Sequence, residues 1–197
     1  KIGSADANRK LGAHFADIGK YEEGFNSANQ ALLILKDLLL KATGSEIKKI
    51  KLKIGTTYNV LAHNTISKGN LPEGLKYSFL ALKVREDIGD IQGIADTEFN
   101  IGNIYSSQGN FSDALIHYEI SLKNSIASGN KRDIPGVHNA IAWIYISLGN
   151  FEQALISSLE AVKLAEELND EYYLGQIYST LGTIYEEQEN YELSLKY

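Results

Sequence analysis

Four histidines, at 14, 63, 117 and 138, are the only imidazoles in the chain, and none stands four residues from another as a pair of helical metal ligands would. Cysteine is absent, which removes thiolate metal sites, thiol nucleophiles and disulfides together. Ser45-Glu46-Ile47-Lys48 spells a Ser-x-x-Lys pattern, but its usual partner motifs are missing and Ser45 is expected to cap a helix. The carboxylate pairs Glu22-Glu23, Glu166-Glu167 and Glu186-Glu187 are adjacent in sequence. On a helix, neighbours point about 100° apart and cannot share one reaction centre. No catalytic constellation results, so the expectation is a protein that is not an enzyme and holds no metal or cofactor. Lys48, Lys49, Lys51 and Lys53 occupy the polar side of an amphipathic segment and read as a solvated face.

The residues that invite a binding role are asparagines. Asn59, Asn100, Asn103 and Asn139 fall inside helical patterns, where Asn costs a few tenths of a kcal/mol or more relative to Ala. At about 100° per residue, Asn59 shares a face with His63, Phe99 with Asn103, and Asn139 with Trp143. Ser179 with Thr183, and Arg9 with Ala13, hold the matching places elsewhere in the chain. Two uses suit such amides: pairing with the backbone of an extended peptide, or hydrogen bonding between neighbouring helices. Trp143 and Phe99 would supply apolar contacts in the first case.

The elements that must carry these residues are helices. The chain has 197 residues, 44% hydrophobic and 22% charged, with two prolines, and strand alternation is missing. Its net charge of −6 argues against a nucleic-acid binder, which would need a concentrated basic surface. No apolar run approaches the ~20 residues a membrane span requires, and the expected compartment is the cytoplasm. Turns recur at a fixed distance: Gly69-Asn70-Leu71, Gly109-Asn110-Phe111 and Gly149-Asn150-Phe151 stand forty residues apart. Aligned on the turn, small residues form one column (Gly12, Ala62, Gly102, Ala142, Gly182) and mostly large ones another (Phe15, Thr65, Tyr105, Tyr145, Tyr185). Beyond the turn stand Gly24, Gly74, Ala114, Ala154 and Ser194. Such columns describe a helical hairpin whose knobs, Tyr105 among them, enter holes left by small residues. Glycine ends the first helix because it takes the left-handed conformation without a Cβ penalty.

Ile101-Gly102-x-x-Tyr105 and Leu181-Gly182-x-x-Tyr185, with Tyr58 and Tyr178 in the place usually given to Trp, resemble the tetratricopeptide repeat (TPR) family. The period of forty, in place of the family's 34, is similar to the tetratricopeptide regions of bacterial signalling proteins and eukaryotic polarity adaptors. Six extra residues shared by two helices lengthen each by roughly one turn, which also accounts for the missing Pro at the end of the second helix. The resemblance implies an all-α, right-handed superhelical solenoid of antiparallel hairpins, about four and a half repeats. It covers residues 1–197 as one domain, with repeats near 5–44, 45–89, 90–129, 130–169 and a truncated 170–197. It also places Asn59, His63, Phe99, Asn100, Asn103, Asn139 and Trp143 on a concave groove. The groups with which chaperone-binding relatives clamp a terminal carboxylate are not matched, because Ala13 and Asp96 stand where Asn and Lys would be wanted.

The first interval, Gly19 to Gly69, carries ten extra residues and keeps helical periodicity on both sides of Thr43-Gly44-Ser45, predicting an extended, protruding hairpin. The function expected is a protein- or peptide-binding scaffold or sensor module of a larger signalling protein, continuing past Tyr197, with partners in the concave groove. The alternative is a self-association module that forms a homo-oligomer and brings attached output domains together.

Overall fold

The computed structural model describes residues 1–197. It is all-helical, with ten helices in sequence: α1 (Ile2–Asp17), α2 (Tyr21–Leu39), α3 (Ser45–Ser67), α4 (Leu71–Ile88), α5 (Ile91–Ser107), α6 (Phe111–Ser128), α7 (Ile134–Ser147), α8 (Phe151–Leu168), α9 (Glu171–Glu187) and α10 (Tyr191–Lys196). Two compact units divide the chain, Lys1–Ile104 and Tyr105–Tyr197.

The Gly-Asn turns do two jobs. Gly19, Gly69, Gly109 and Gly149 adopt φ of 75°, 91°, 73° and 70°, and Glu189 takes the equivalent place at 58°. The next amide then reaches back into the preceding helix: Asn110 N–H donates to Tyr105 C=O at 2.9 Å, and Asn150 N–H to Tyr145 C=O at 2.8 Å. The Asn side chain caps the helix that follows. Asn70 Oδ1 accepts from Glu73 N–H at 3.3 Å, Asn150 Oδ1 from Gln153 N–H at 3.3 Å, and Asn190 Oδ1 from Leu193 N–H at 3.3 Å. Asn150→Ala should therefore cost about 1 kcal/mol, the usual loss on removing an N-cap side chain, read as a lower urea midpoint with unchanged slope.

A second set of left-handed stops, at Gly89 (64°), Gly129 (74°) and Asn169 (52°), closes α4, α6 and α8, again at intervals of forty. This is why those helices end without proline. Asp90 and Asp170 follow and accept from Gly93 N–H and Tyr173 N–H, each at 3.2 Å, opening α5 and α9.

In the first unit, α1, α2, α3 and α4 bury Ala5, Ala28, Leu32, Leu35, Ile50, Ile54, Tyr58, Leu61 and Ala81. Burial of each large aliphatic side chain contributes about 1.5–3 kcal/mol. The small column sets the crossing of α1 and α2, since a Cβ on Gly12 would lie 2.9 Å from Gly24 C=O and 3.1 Å from Ala28 Cβ. The ten-residue extension is helical on both sides of Gly44, as the periodicity predicts, and residues 43–49 are exposed. Ser45 is not the cap. Gly44 holds that place, no side chain bonds the first turn, and its φ of 55° explains why glycine stands there.

In the second unit, Ala154, Ala161, Ala165, Ile177, Leu181 and Ile184 form a core between α8 and α9, with Tyr145, Phe151 and Tyr173 packed on it. The aromatic column differs from expectation. Tyr105 is half-buried, stacked on His117 with centroids 5.3 Å apart and planes 12° from parallel, and does not plug the hairpin. Tyr118, 2% exposed, is the large ring buried in this unit. The two fall on opposite sides of the prediction because Tyr105 lies at the edge of its helix pair, whereas Tyr118, one turn past Ala114, faces inward.

Candidate ligand groove

On α7, Asn139 and Trp143 are one turn apart and share a face. On α9, Tyr172, Gly175, Gln176, Ser179 and Thr180 are spaced as one stripe, three to four residues apart. These seven residues line one open groove of about 510 Å³. The two helices approach closely near its end because residue 136 is glycine: a Cβ there would lie 2.7 Å from the Tyr173 ring.

The groove has a polar floor and aromatic walls. Asn139 is 8% exposed, and its Oδ1 is buried with no hydrogen-bond partner. An amide oxygen in that state costs about 1–3 kcal/mol until a donor reaches it. Thr180 is fully buried and donates to Gln176 C=O at 3.1 Å, so its hydroxyl is already used. Trp143 and Tyr172 stand out at 44% and 73% exposure, Tyr172 being steadied by an edge-on contact with Tyr173 at 5.6 Å. Next to Asn139, His138 is half-buried; burial holds its pKa below the ordinary value, with Glu160 pulling the other way.

Two of the seven sequence-predicted residues, Asn139 and Trp143, thus meet in the groove, joined by Ser179 from the matching place. The other five lie in the first unit. Asn59 is half-buried and His63 exposed on α3; on α5, Phe99 and Asn103 are half-buried and Asn100 is exposed. Phe99 and Asn103 already hold interactions within the protein. Tyr172 was not foreseen, since it precedes the repeated columns, at the first turn of its helix.

Asn64 is the other residue sequence reasoning missed, and it takes the bracing role considered for the asparagines. Its Nδ2 donates to Gly12 C=O on α1 at 3.1 Å and to Val60 C=O at 2.9 Å, with the residue 1% exposed. Gly24 makes room for it, because a Cβ there would fall on Asn64 Oδ1. Asp96 accepts from Gln92 Nε2 at 2.7 Å and lies 3.9 Å from the Arg85 guanidinium. No group of three or more His, Cys, Asp or Glu side chains gathers where a metal ion could be held. No helix is long and apolar enough to cross a membrane.

Residues 135–168, the α7–α8 hairpin, match the family model described as tetratricopeptide repeat. No curated protein matches the sequence. Among solved structures, the chain is similar to aspartyl phosphate phosphatase F from Bacillus subtilis, with TM-score 0.77 and 15% identity over 99% of this chain and 58% of that one. It is similar to a signal transduction ATPase with numerous domains from Pyrococcus horikoshii, which carries a tetratricopeptide repeat sensor, with TM-score 0.78 and 18% identity over 99% of this chain and 29% of that one. It is also similar to the Rap conjugation gene regulator of plasmid pLS20 in complex with the Phr* peptide, with TM-score 0.76 and 16% identity over 100% and 51%. The chain therefore spans little more than half the length of the first of these, and it has the fold of TPR-like repeat proteins.

Proposed function

We propose that this chain is a non-enzymatic peptide- or protein-binding module, the sensor or scaffold portion of a larger signalling protein, which takes its partner along the first helices of its hairpins. One observation carries the reading: Asn139 Oδ1 is buried without a donor, and its residue lines a groove with two exposed aromatic rings. A peptide backbone N–H supplies that donor while its side chains rest on Trp143 and Tyr172. The pLS20 regulator, similar in fold, was solved with a peptide, and the P. horikoshii protein carries its repeats as a sensor. In the first unit, Asn59, His63, Phe99, Asn100 and Asn103 form the corresponding reading face.

The test is fluorescence anisotropy of labelled, terminally blocked random hexapeptide pools. Trp143→Ala should weaken binding by more than ~2 kcal/mol, since interface energy concentrates in a few aromatic anchors. Asn139→Leu, similar in volume but without the amide, should weaken it by about 1–2 kcal/mol while leaving the protein folded. Leu159→Ser, on an exposed position of α8, serves as the control. Unchanged affinity in both groove variants with loss in the control would move the site to the second helices.

A further inference from the structure

The residues lining the groove carry no charge: one amide floor, Gln176, two hydroxyls, a glycine and two aromatic rings. The unit around it is strongly acidic. Residues 105–197 hold thirteen Asp and Glu against five Lys and Arg, a net charge of −8, whereas residues 1–104 hold twelve against fourteen. A neutral groove in a unit of that charge sits in a negative potential, which attracts cations and repels carboxylates.

Trp143 and Tyr172 add a specific attraction. Indole and phenol faces draw ammonium and guanidinium groups through their quadrupoles, Trp most strongly. Elsewhere in the protein lysines do approach rings, Lys36 Nζ lying 5.7 Å from the Tyr58 centroid and Lys20 Nζ 6.0 Å from that of Phe15. The groove has its aromatic faces but no lysine or arginine of its own. Glu171, exposed on the first turn of α9, lies one turn before Gly175 on the same side of the helix, placing a carboxylate at the groove's N-terminal end.

We infer that the groove selects a basic peptide: a Lys or Arg side chain lies against Trp143 and Tyr172 while a neighbouring backbone N–H donates to Asn139 Oδ1. This inference rests on the reading of the groove as a peptide site and specifies what that peptide must carry. An acidic peptide meets no cation among the residues that line the groove, Arg132 standing outside the lining beside Tyr173, and an uncharged one forgoes the field of the unit.

Trp143 is the only tryptophan, so its intrinsic fluorescence reports occupancy directly. Terminally blocked hexapeptide pools, each with Arg, Lys, Leu or Glu fixed at a central position, are titrated against the whole chain. The Arg and Lys pools should bind about tenfold more tightly than the Leu and Glu pools. Their advantage should shrink as salt is raised from about 0.05 to 0.5 M, through shorter screening lengths. Tyr172→Leu, which keeps apolar area but removes the ring face, should remove most of the preference for Arg, and Tyr172→Phe should restore it. Equal or stronger binding of the Leu or Glu pools would overturn this inference and leave the peptide groove standing. An Arg preference untouched by Tyr172→Leu would overturn the aromatic contact. Binding of none of the pools, in fluorescence or in anisotropy, would overturn both readings.

Discussion

Tyr118→Ala should lower the free energy of unfolding by about 3–5 kcal/mol, the range for deleting a large buried ring and leaving its cavity. The side chain is 2% exposed within the second unit, and its neighbours on α6, Ala114, Ser121 and Ser125, are small and buried, so they cannot collapse far into the space. Tyr105→Ala, which deletes a half-buried ring stacked on His117, should cost no more than about half as much. Urea denaturation of the two variants decides the matter, and equal midpoints would contradict the assignment of Tyr118 to the core.

Alkali gives a second reading of the same residue. Burial pushes the Tyr118 phenol up to about 12, partly opposed by a hydrogen bond with Ser106. Below pH 10 both folded and unfolded chains keep the proton and the contribution is whole. Between pH 10 and about 12 the unfolded chain releases it while the folded one does not, so stability falls with rising pH, by about 3 kcal/mol across that window. Tyr118→Phe has nothing to titrate there. The difference in stability between the parent and Tyr118→Phe should therefore move against the parent by that amount.

The second large effect concerns a buried cation in the first unit. Arg85 is 6% exposed; its Nη1 donates to Asp90 Oδ2 at 3.4 Å and stands 3.9 Å from Asp96 Oδ2, while its Nε is buried without a partner. Two glycines accommodate it. A Cβ on Gly55 would lie 3.3 Å from Arg85 Cγ, and one on Gly93 would fall on the guanidinium itself. Burial lowers the Arg85 pKa, and the Asp90 and Asp96 carboxylates counter that shift.

Removing Asp90 both uncaps α5 and strands the guanidinium. Asp90→Ala should cost about 3 kcal/mol, most of it the penalty of a buried charge that has lost its nearest partner. Asp170 offers an internal comparison, since it caps α9 at the same 3.2 Å with no buried cation beside it. Asp170→Ala should cost about 1 kcal/mol. Arg85→Met should change stability by less than ~1 kcal/mol, because an apolar side chain of similar length pays no charge desolvation. If the two aspartate variants unfolded at the same denaturant concentration, Arg85 would not depend on Asp90.

Turn chemistry and periodicity were legible in the sequence because both are local. Gly-Asn at a spacing of forty needs only a left-handed residue and a side-chain oxygen three residues before a free N–H, and both are present at 109–110 and 149–150. The helix on each side of Gly44 follows from the same near-neighbour rules. The pairing of Asn139 with Trp143 was legible too, since one helical turn separates them.

What the tertiary structure decided depends on distances between helices. Tyr105 and Tyr118 are both tyrosines near a small column, and only the packing shows which enters it. Asn64 and Asn139 are both buried mid-helix amides on first helices, each with an Oδ1 that meets no donor, yet Asn64 Nδ2 reaches Gly12 C=O on another helix across a gap kept open by Gly24. Arg85 reads as an ordinary surface residue until Gly55 and Gly93 are seen to shelter it. Tyr172 joins the groove only because Gly136 lets α7 and α9 come together. A helical repeat specifies its own turns through residues a few positions apart; which polar side chain reaches a partner on another helix is settled by the glycines and side chains of the helix opposite.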